Sequence, residues 1–125
     1  IIELIQSRFS DILLFLLLIS CSSEDLKGRI VAGETSISVD AEYFQGERIY
    51  TLDFDEDREV KLDLETLSGK IYIKVQDSGG KVVLEGSYSS DWNQYGRTSF
   101  FIEKGKVTLT LKGEAYSGKA RLDWN

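Results

Sequence analysis

Asp53, Asp55 and Asp57 occupy every second position, so on an extended strand their carboxylates share one face and offer the oxygen ligands a hard cation takes. An EF-hand loop begun at Asp53 needs Gly at position 58 and Glu at position 64. The chain has Arg58 and Leu64, so that motif is absent. The reading is a hairpin turn at Asp55-Glu56-Asp57-Arg58 with solvated carboxylates beside Arg58 and Lys61, and no metal or other cofactor is expected. The chain contains no histidine, which removes Ser-His-Asp and Cys-His catalysis and any histidine metal site. Neither a Walker loop nor Gly-x-Gly-x-x-Gly occurs. Paired carboxylates, as in glycoside hydrolysis, are the enzyme chemistry left. A domain of about 100 residues with short loops seldom builds the deep cleft this needs. No catalytic residue is assigned, and a non-catalytic protein is expected.

A second group of residues suits recognition. Between Leu84 and Thr98 lies the longest apparent connection, residues 85–97, with Tyr88, Trp92 and Tyr95 among small polar residues. Rigid aromatic rings supply contact area, and Asp91, Asn93 and Gln94 supply orienting hydrogen bonds. Tyr88, Trp92, Tyr95, Asp91 and Asn93 are therefore the candidate ligand-binding residues. The alternative is that the three rings fold inward and cap the open end of the domain, since tryptophan is highly buried on average. Tyr43 and Phe44 pose the same question.

Residues 12–19 are eight consecutive apolar residues, far short of the roughly 20 that cross a bilayer but matching the length of a signal-peptide core. They run into Leu18-Ile19-Ser20-Cys21, which contains the single cysteine and resembles a bacterial lipobox. That resemblance implies cleavage before Cys21, lipid on its thiol, and a polar tether in Ser22, Ser23, Glu24 and Asp25. Acyl chains then hold the protein on the membrane, each buried methylene contributing about 0.8 kcal/mol. Residues 1–11 carry Arg8 against Glu3 and Asp11, and basic residues are expected upstream of Ile1 to complete a positive n-region. The alternative is a buried hydrophobic helix or strand that ends in cysteine. The expected organisation is a signal peptide over 1–20, lipidated cysteine and tether over 21–28, and one domain over 29–125. The expected location is the cell envelope, lipid-anchored on the extracytoplasmic face of a bacterial membrane.

Removing Glu3, Asp11 and Arg8 from the 21 acidic and 15 basic residues leaves 19 and 14, a net charge of −5. Acidic charge spread along the chain disfavours nucleic acid, which needs a basic stripe. It also disfavours electrostatic docking onto anionic lipid. With no disulfide possible, the exported domain must rely on its core.

From Arg48 onward the hydrophobic period is two. Tyr50, Leu52 and Phe54; Val60, Leu62 and Leu64; Ile71, Ile73 and Val75; Val107, Leu109 and Leu111; and Ala120, Leu122 and Trp124 each alternate with polar residues. Such strands have one face in a core and one in water. Ile30-Val31 and Ile37-Ser38-Val39 give one or two less regular strands. Val82-Val83-Leu84 and Phe100-Phe101-Ile102 read as short strands covered on both faces. Gly69-Lys70, Gly80-Lys81, Gly105-Lys106 and Gly118-Lys119 read as strand openings after turns, with hairpin turns at Asp77-Ser78-Gly79-Gly80 and Glu103-Lys104-Gly105. Eight or nine short strands predict an all-β fold, a single antiparallel two-sheet β-sandwich, with a partly open barrel as the alternative.

Tyr50-Thr51-Leu52-Asp53-Phe54, Val60-Lys61-Leu62-Asp63-Leu64, the run from Ile71 to Val83 and Gly105-Lys106-Val107-Thr108-Leu109-Thr110-Leu111 together resemble the bacterial pre-peptidase C-terminal type of β-sandwich. The resemblance implies a jelly-roll-like, non-catalytic module serving in binding or secretion. Where many members carry an aspartate-rich strand, this chain has Gly69-Lys70-Ile71-Tyr72, and no peptidase-linked role is expected to carry over. The expected function is a lipid-anchored envelope protein with a binding or structural role. A carbohydrate-binding module using residues 85–97 is the alternative, and a small carboxylate-dependent hydrolase a third. The expected partners are the membrane, through Cys21, and a carbohydrate or envelope protein.

Overall fold

The computed structural model describes residues 25–91 and 94–124, and six strands account for most of them. They are β1 (Asp25–Ala32), β2 (Ser36–Phe54), β3 (Arg58–Gln76), β4 (Val82–Ser89), β5 (Tyr95–Ile102) and β6 (Gly105–Asp123). No helix occurs among the described residues, and none is therefore long and apolar enough to cross a membrane. The expected signal peptide, Cys21, Trp92 and Asn93 lie outside the described residues.

Three strands of 19 residues, β2, β3 and β6, bend once and serve two layers. Their stretches 36–41, 61–66 and 118–123 join β1 and β5 in a front layer of order β1–β2–β6–β3–β5. Their stretches 46–54, 70–76 and 105–113 join β4 in a back layer of order β2–β6–β3–β4. Every neighbouring pair is antiparallel. The fold is thus the predicted two-sheet antiparallel sandwich. Counting each long strand once per layer, six strands give nine segments, which is what the short hydrophobic alternations report.

The alternation sorts side chains as the period requires. Ile37, Val39, Leu62, Leu64 and Leu122 of the front layer and Ile71, Ile73, Val107, Leu109 and Leu111 of the back are buried together between the layers. At the end opposite the bends, Phe54 and Trp124 meet with ring centroids 5.3 Å apart. The Trp124 indole N–H donates to the Glu34 carbonyl at 3.0 Å and its backbone N–H to the Thr35 carbonyl at 2.9 Å. This closes the open end around the β1–β2 turn.

The bends form a crease, marked by register breaks at Ala41/Phe44 and Phe44/Gly46 on β2 and at Thr66/Ser68 and Ser68/Lys70 on β3. Gly69-Lys70 and Gly118-Lys119 sit here, inside strands, which corrects their reading as strand openings. A β-carbon at Gly69 would strike the Ala115 carbonyl, and one at Gly118 the Glu65 carbonyl. Glycine is needed because folding the sheet on itself brings a neighbouring backbone into contact. Buried Tyr116 and Phe44 fill the inside of the crease. The Tyr116 hydroxyl donates to the Glu65 carbonyl at 3.0 Å. Burial is the main force pushing that hydroxyl up to about 12, opposed by its hydrogen bond with Thr66 and aided by the charge of Glu65.

Other expectations also change. The Asp77 turn is a hairpin, its carboxylate accepting the Gly79 and Lys81 N–H groups at 2.9 Å each. The connections at 55–57 and 103–104 are not hairpins, because the strands they join lie in different layers: β2 ends in the back and β3 begins in the front, and β5 hands over from front to back. The Lys104 N–H donates to the Asp57 carboxylate at 2.9 Å and ties these crossings together. With the step from β4 in the back to β5 in the front, three of the five connections between the described strands change layer, as in a jelly roll. Strands β4 and β5 are edge strands rather than strands covered on both faces; Phe101 is 76% exposed. Strand β1 begins at Asp25, so the expected tether of 21–28 loses its last four residues to the domain.

Candidate functional site

The expected long aromatic loop shrinks to residues 90–94, because β4 continues to Ser89 and β5 starts at Tyr95. Its candidates separate accordingly. Tyr88 lies opposite Ile71 at the back and packs against the core, its ring close to the backbone of Gly96, where a β-carbon would come within 2.7 Å of it. Burial raises the pKa of its hydroxyl above the ordinary tyrosine value. Asp91 is exposed. Tyr95 lies opposite Glu65 on the front layer and is 69% exposed. Tyr88 and Tyr95 diverge because they sit on edge strands of different layers. The short connection is anchored at Thr66, whose N–H donates to the Gln94 carbonyl at 2.7 Å and whose hydroxyl donates to the Tyr88 carbonyl at 3.4 Å.

Tyr95 stands at the rim of a depression of about 550 Å³ on the outer face of the front layer. Strand register builds this face in rows. One row runs Arg29, Asp40, Lys119, Glu65 and Tyr95 across the five strands. The next runs Val31, Ser38, Arg121, Asp63 and Arg97. Directly opposed side chains on one face stand roughly 5 Å apart, so the charges alternate as near neighbours. Arg97 Nε lies 3.7 Å from the Asp63 carboxylate, and both are exposed; such a pair contributes little to stability, about 1 kcal/mol or less.

The face therefore offers hydrogen-bond donors and acceptors in alternation beside one aromatic ring. Four cations against three carboxylates leave it close to neutral. That does not suit a polyanion, whose phosphates need a continuous basic track. It suits a neutral, hydroxyl-rich surface. Asp63 and Glu65 stand side by side on β3, each with a cationic cross-strand neighbour, and do not face each other across a cleft as glycoside hydrolysis requires. Asp53 pairs with Lys106 at 3.6 Å, Asp55 with Arg58 at 3.6 Å, and Asp57 caps the Lys104 N–H. Among the described residues no group of three acidic or cysteine ligands is arranged to hold a metal ion. Sequence reading missed Arg29, Asp40, Asp63, Glu65, Arg97, Lys119 and Arg121 as a set. Their signal was present as the polar half of each alternation, but which charges meet depends on register.

Fold and face together define a class: a small antiparallel β-sandwich that displays one open, charge-alternating sheet face. No protein-family model matches the chain, and no curated protein matches it. Among solved structures it is similar to the crystal structure of procruciferin, an 11S globulin from Brassica napus, with 12% sequence identity and a TM-score of 0.39. The similarity covers 72% of this chain and 20% of that one, so the chain spans about a fifth of the globulin's length.

Proposed function

We propose that this protein is a lipid-anchored component of a bacterial cell envelope, held through Cys21, whose sandwich is a non-catalytic module that binds carbohydrate on its front face. The observation that carries the binding site is Tyr95, largely exposed beside the 550 Å³ depression and the two charge rows. A sugar ring presents an apolar face to stack on an aromatic ring, and its hydroxyls both donate and accept, matching alternating guanidinium and carboxylate groups. The chain's lack of histidine and its single cysteine support a non-catalytic role. The resemblance to pre-peptidase C-terminal type modules belongs to the same reading.

Retention of the chain on insoluble envelope and plant polysaccharides, with Tyr95→Ala as the comparison, tests the binding half. We expect wild type to be retained on at least one polysaccharide. Tyr95→Ala should weaken binding by about tenfold or more, equivalent to ~1.4 kcal/mol, with unchanged thermal stability. Retention of both forms alike would remove Tyr95 from the site. For the anchor, Cys21→Ala should move the protein from the detergent phase to the aqueous phase. If both forms stay aqueous, the lipoprotein reading is wrong.

A further inference from the structure

The tether reaches the sandwich at one particular place. Asp25, the first residue of β1, pairs with Gln45 at the bend of β2. The Gln45 side-chain carbonyl accepts the N–H of Ala115 at the bend of β6, at 3.0 Å. The chain therefore emerges from the crease and not from the open end, where Trp124 and Phe54 meet.

Only Ser22, Ser23 and Glu24 separate Cys21 from Asp25. Four fully extended steps span at most about 14 Å. The polar headgroup layer of one leaflet takes up about 5–7 Å of that. From the crease to the open end, β1 alone runs the length of Asp25–Ala32, about 23 Å at strand rise. A tether this short cannot let the open end face the bilayer.

Two exposed apolar side chains mark what does face it. Leu67, in the register break of β3, is 59% exposed, and Tyr43, at the bend of β2, is 38% exposed. Around them Lys27 and Lys70 stand against Asp25, Glu42 and Glu114, so the crease has no basic excess and charge does not draw it to anionic lipid. The front face, by contrast, carries two rows of charged groups that lying flat on lipid would desolvate.

We infer that the crease rests on the lipid headgroups, with Leu67 and Tyr43 in the membrane interface and the open end projecting outward. The partner is the lipid surface that holds the anchor. The inference rests on lipidation of Cys21. Tyrosine suits this position because its ring is apolar and its hydroxyl remains wet. The front face then stands upright beside the membrane, free to meet an extended polymer.

The test uses the acylated full chain in phosphatidylcholine vesicles whose acyl chains carry a bromine quencher. With Cys21 acylated, an introduced cysteine is the sole free thiol. Ser68→Cys places a fluorophore at the crease and Lys104→Cys places one at the open end. We expect quenching several-fold stronger at position 68 than at position 104, little changed by high salt. Replacing Leu67 and Tyr43 together with serine should bring the two positions closer, with the β-sheet circular dichroism spectrum retained. Equal quenching at both positions, or stronger quenching at 104, overturns the docking. Unchanged quenching in the serine variant overturns the role of the two side chains. Mass spectrometry of the Cys21 peptide separates the failures. A chain without acyl groups fails the lipoprotein reading and docking with it, whereas an acylated chain with equal quenching fails docking alone.

Discussion

Tyr116 concentrates the chemistry of the crease in one side chain. Its hydroxyl is spent on the Glu65 carbonyl, and its pKa stands at about 12 against an ordinary value of 10.0. The unfolded chain therefore releases this proton before the folded one does. The contribution to stability is intact below pH 10 and is lost as pH rises from 10 toward 12. In denaturant melts, Tyr116→Phe should be less stable at neutral pH by about 1–2 kcal/mol, because a buried carbonyl loses its donor. It should also lose stability less steeply than wild type above pH 10; parallel curves would show that Tyr116 ionises freely in the folded state. Tyr116 falls between the alternations that end at Leu111 and restart at Ala120, and its partner Glu65, 51 residues away, becomes visible only when β3 and β6 are paired.

At the scale of the element, the bent strand is the unit that makes this fold. Gly118 lets β6 pass the Glu65 carbonyl, and Gly118→Ala should destabilise the protein by about 2–4 kcal/mol through overpacking and strain. Ala115 works in the other direction. It holds φ at 49°, a left-handed conformation that costs a residue with a β-carbon about 1–2 kcal/mol. Glycine would remove that cost but add about 0.4–1 kcal/mol of unfolded-state freedom. Ala115→Gly should therefore raise stability by only ~0.5 kcal/mol, measured as a shift in denaturant midpoint. A large loss would show that the Ala115 methyl packs. Gly-Lys pairs at 69 and 118 read as turns because a turn and a sharp bend require the same glycine; only the neighbouring strand distinguishes them.

At the scale of the whole molecule, crease and open end are held by different means. The crease is continuous backbone, whereas the open end is closed by Trp124 against Phe54 and the β1–β2 turn. Trp124→Ala removes a buried ring and two layers' worth of contacts. It should cost about 3–5 kcal/mol in denaturant melts while leaving a β-type circular dichroism spectrum. A loss below ~1 kcal/mol would show that the core is sealed without it.

The sequence by itself determined the fold class and the core-facing side of the regularly alternating segments, because a period of two assigns each side chain to core or water without reference to any partner; it did not assign Phe44 and Tyr116 in the crease or the open faces of β4 and β5. It also determined which chemistries are missing, since composition alone removes histidine. Tertiary structure decided which connections are hairpins and which change layer, and that β2, β3 and β6 are single bent strands. It parted Tyr88 from Tyr95 by placing one against the core and the other on the front face. It assembled Arg29, Asp40, Lys119 and Glu65 into one row from four strands. The reason is the same in each case: which strands pair, and in what register, depends on contacts between residues far apart in the chain, and alternation within one strand carries no record of its neighbours.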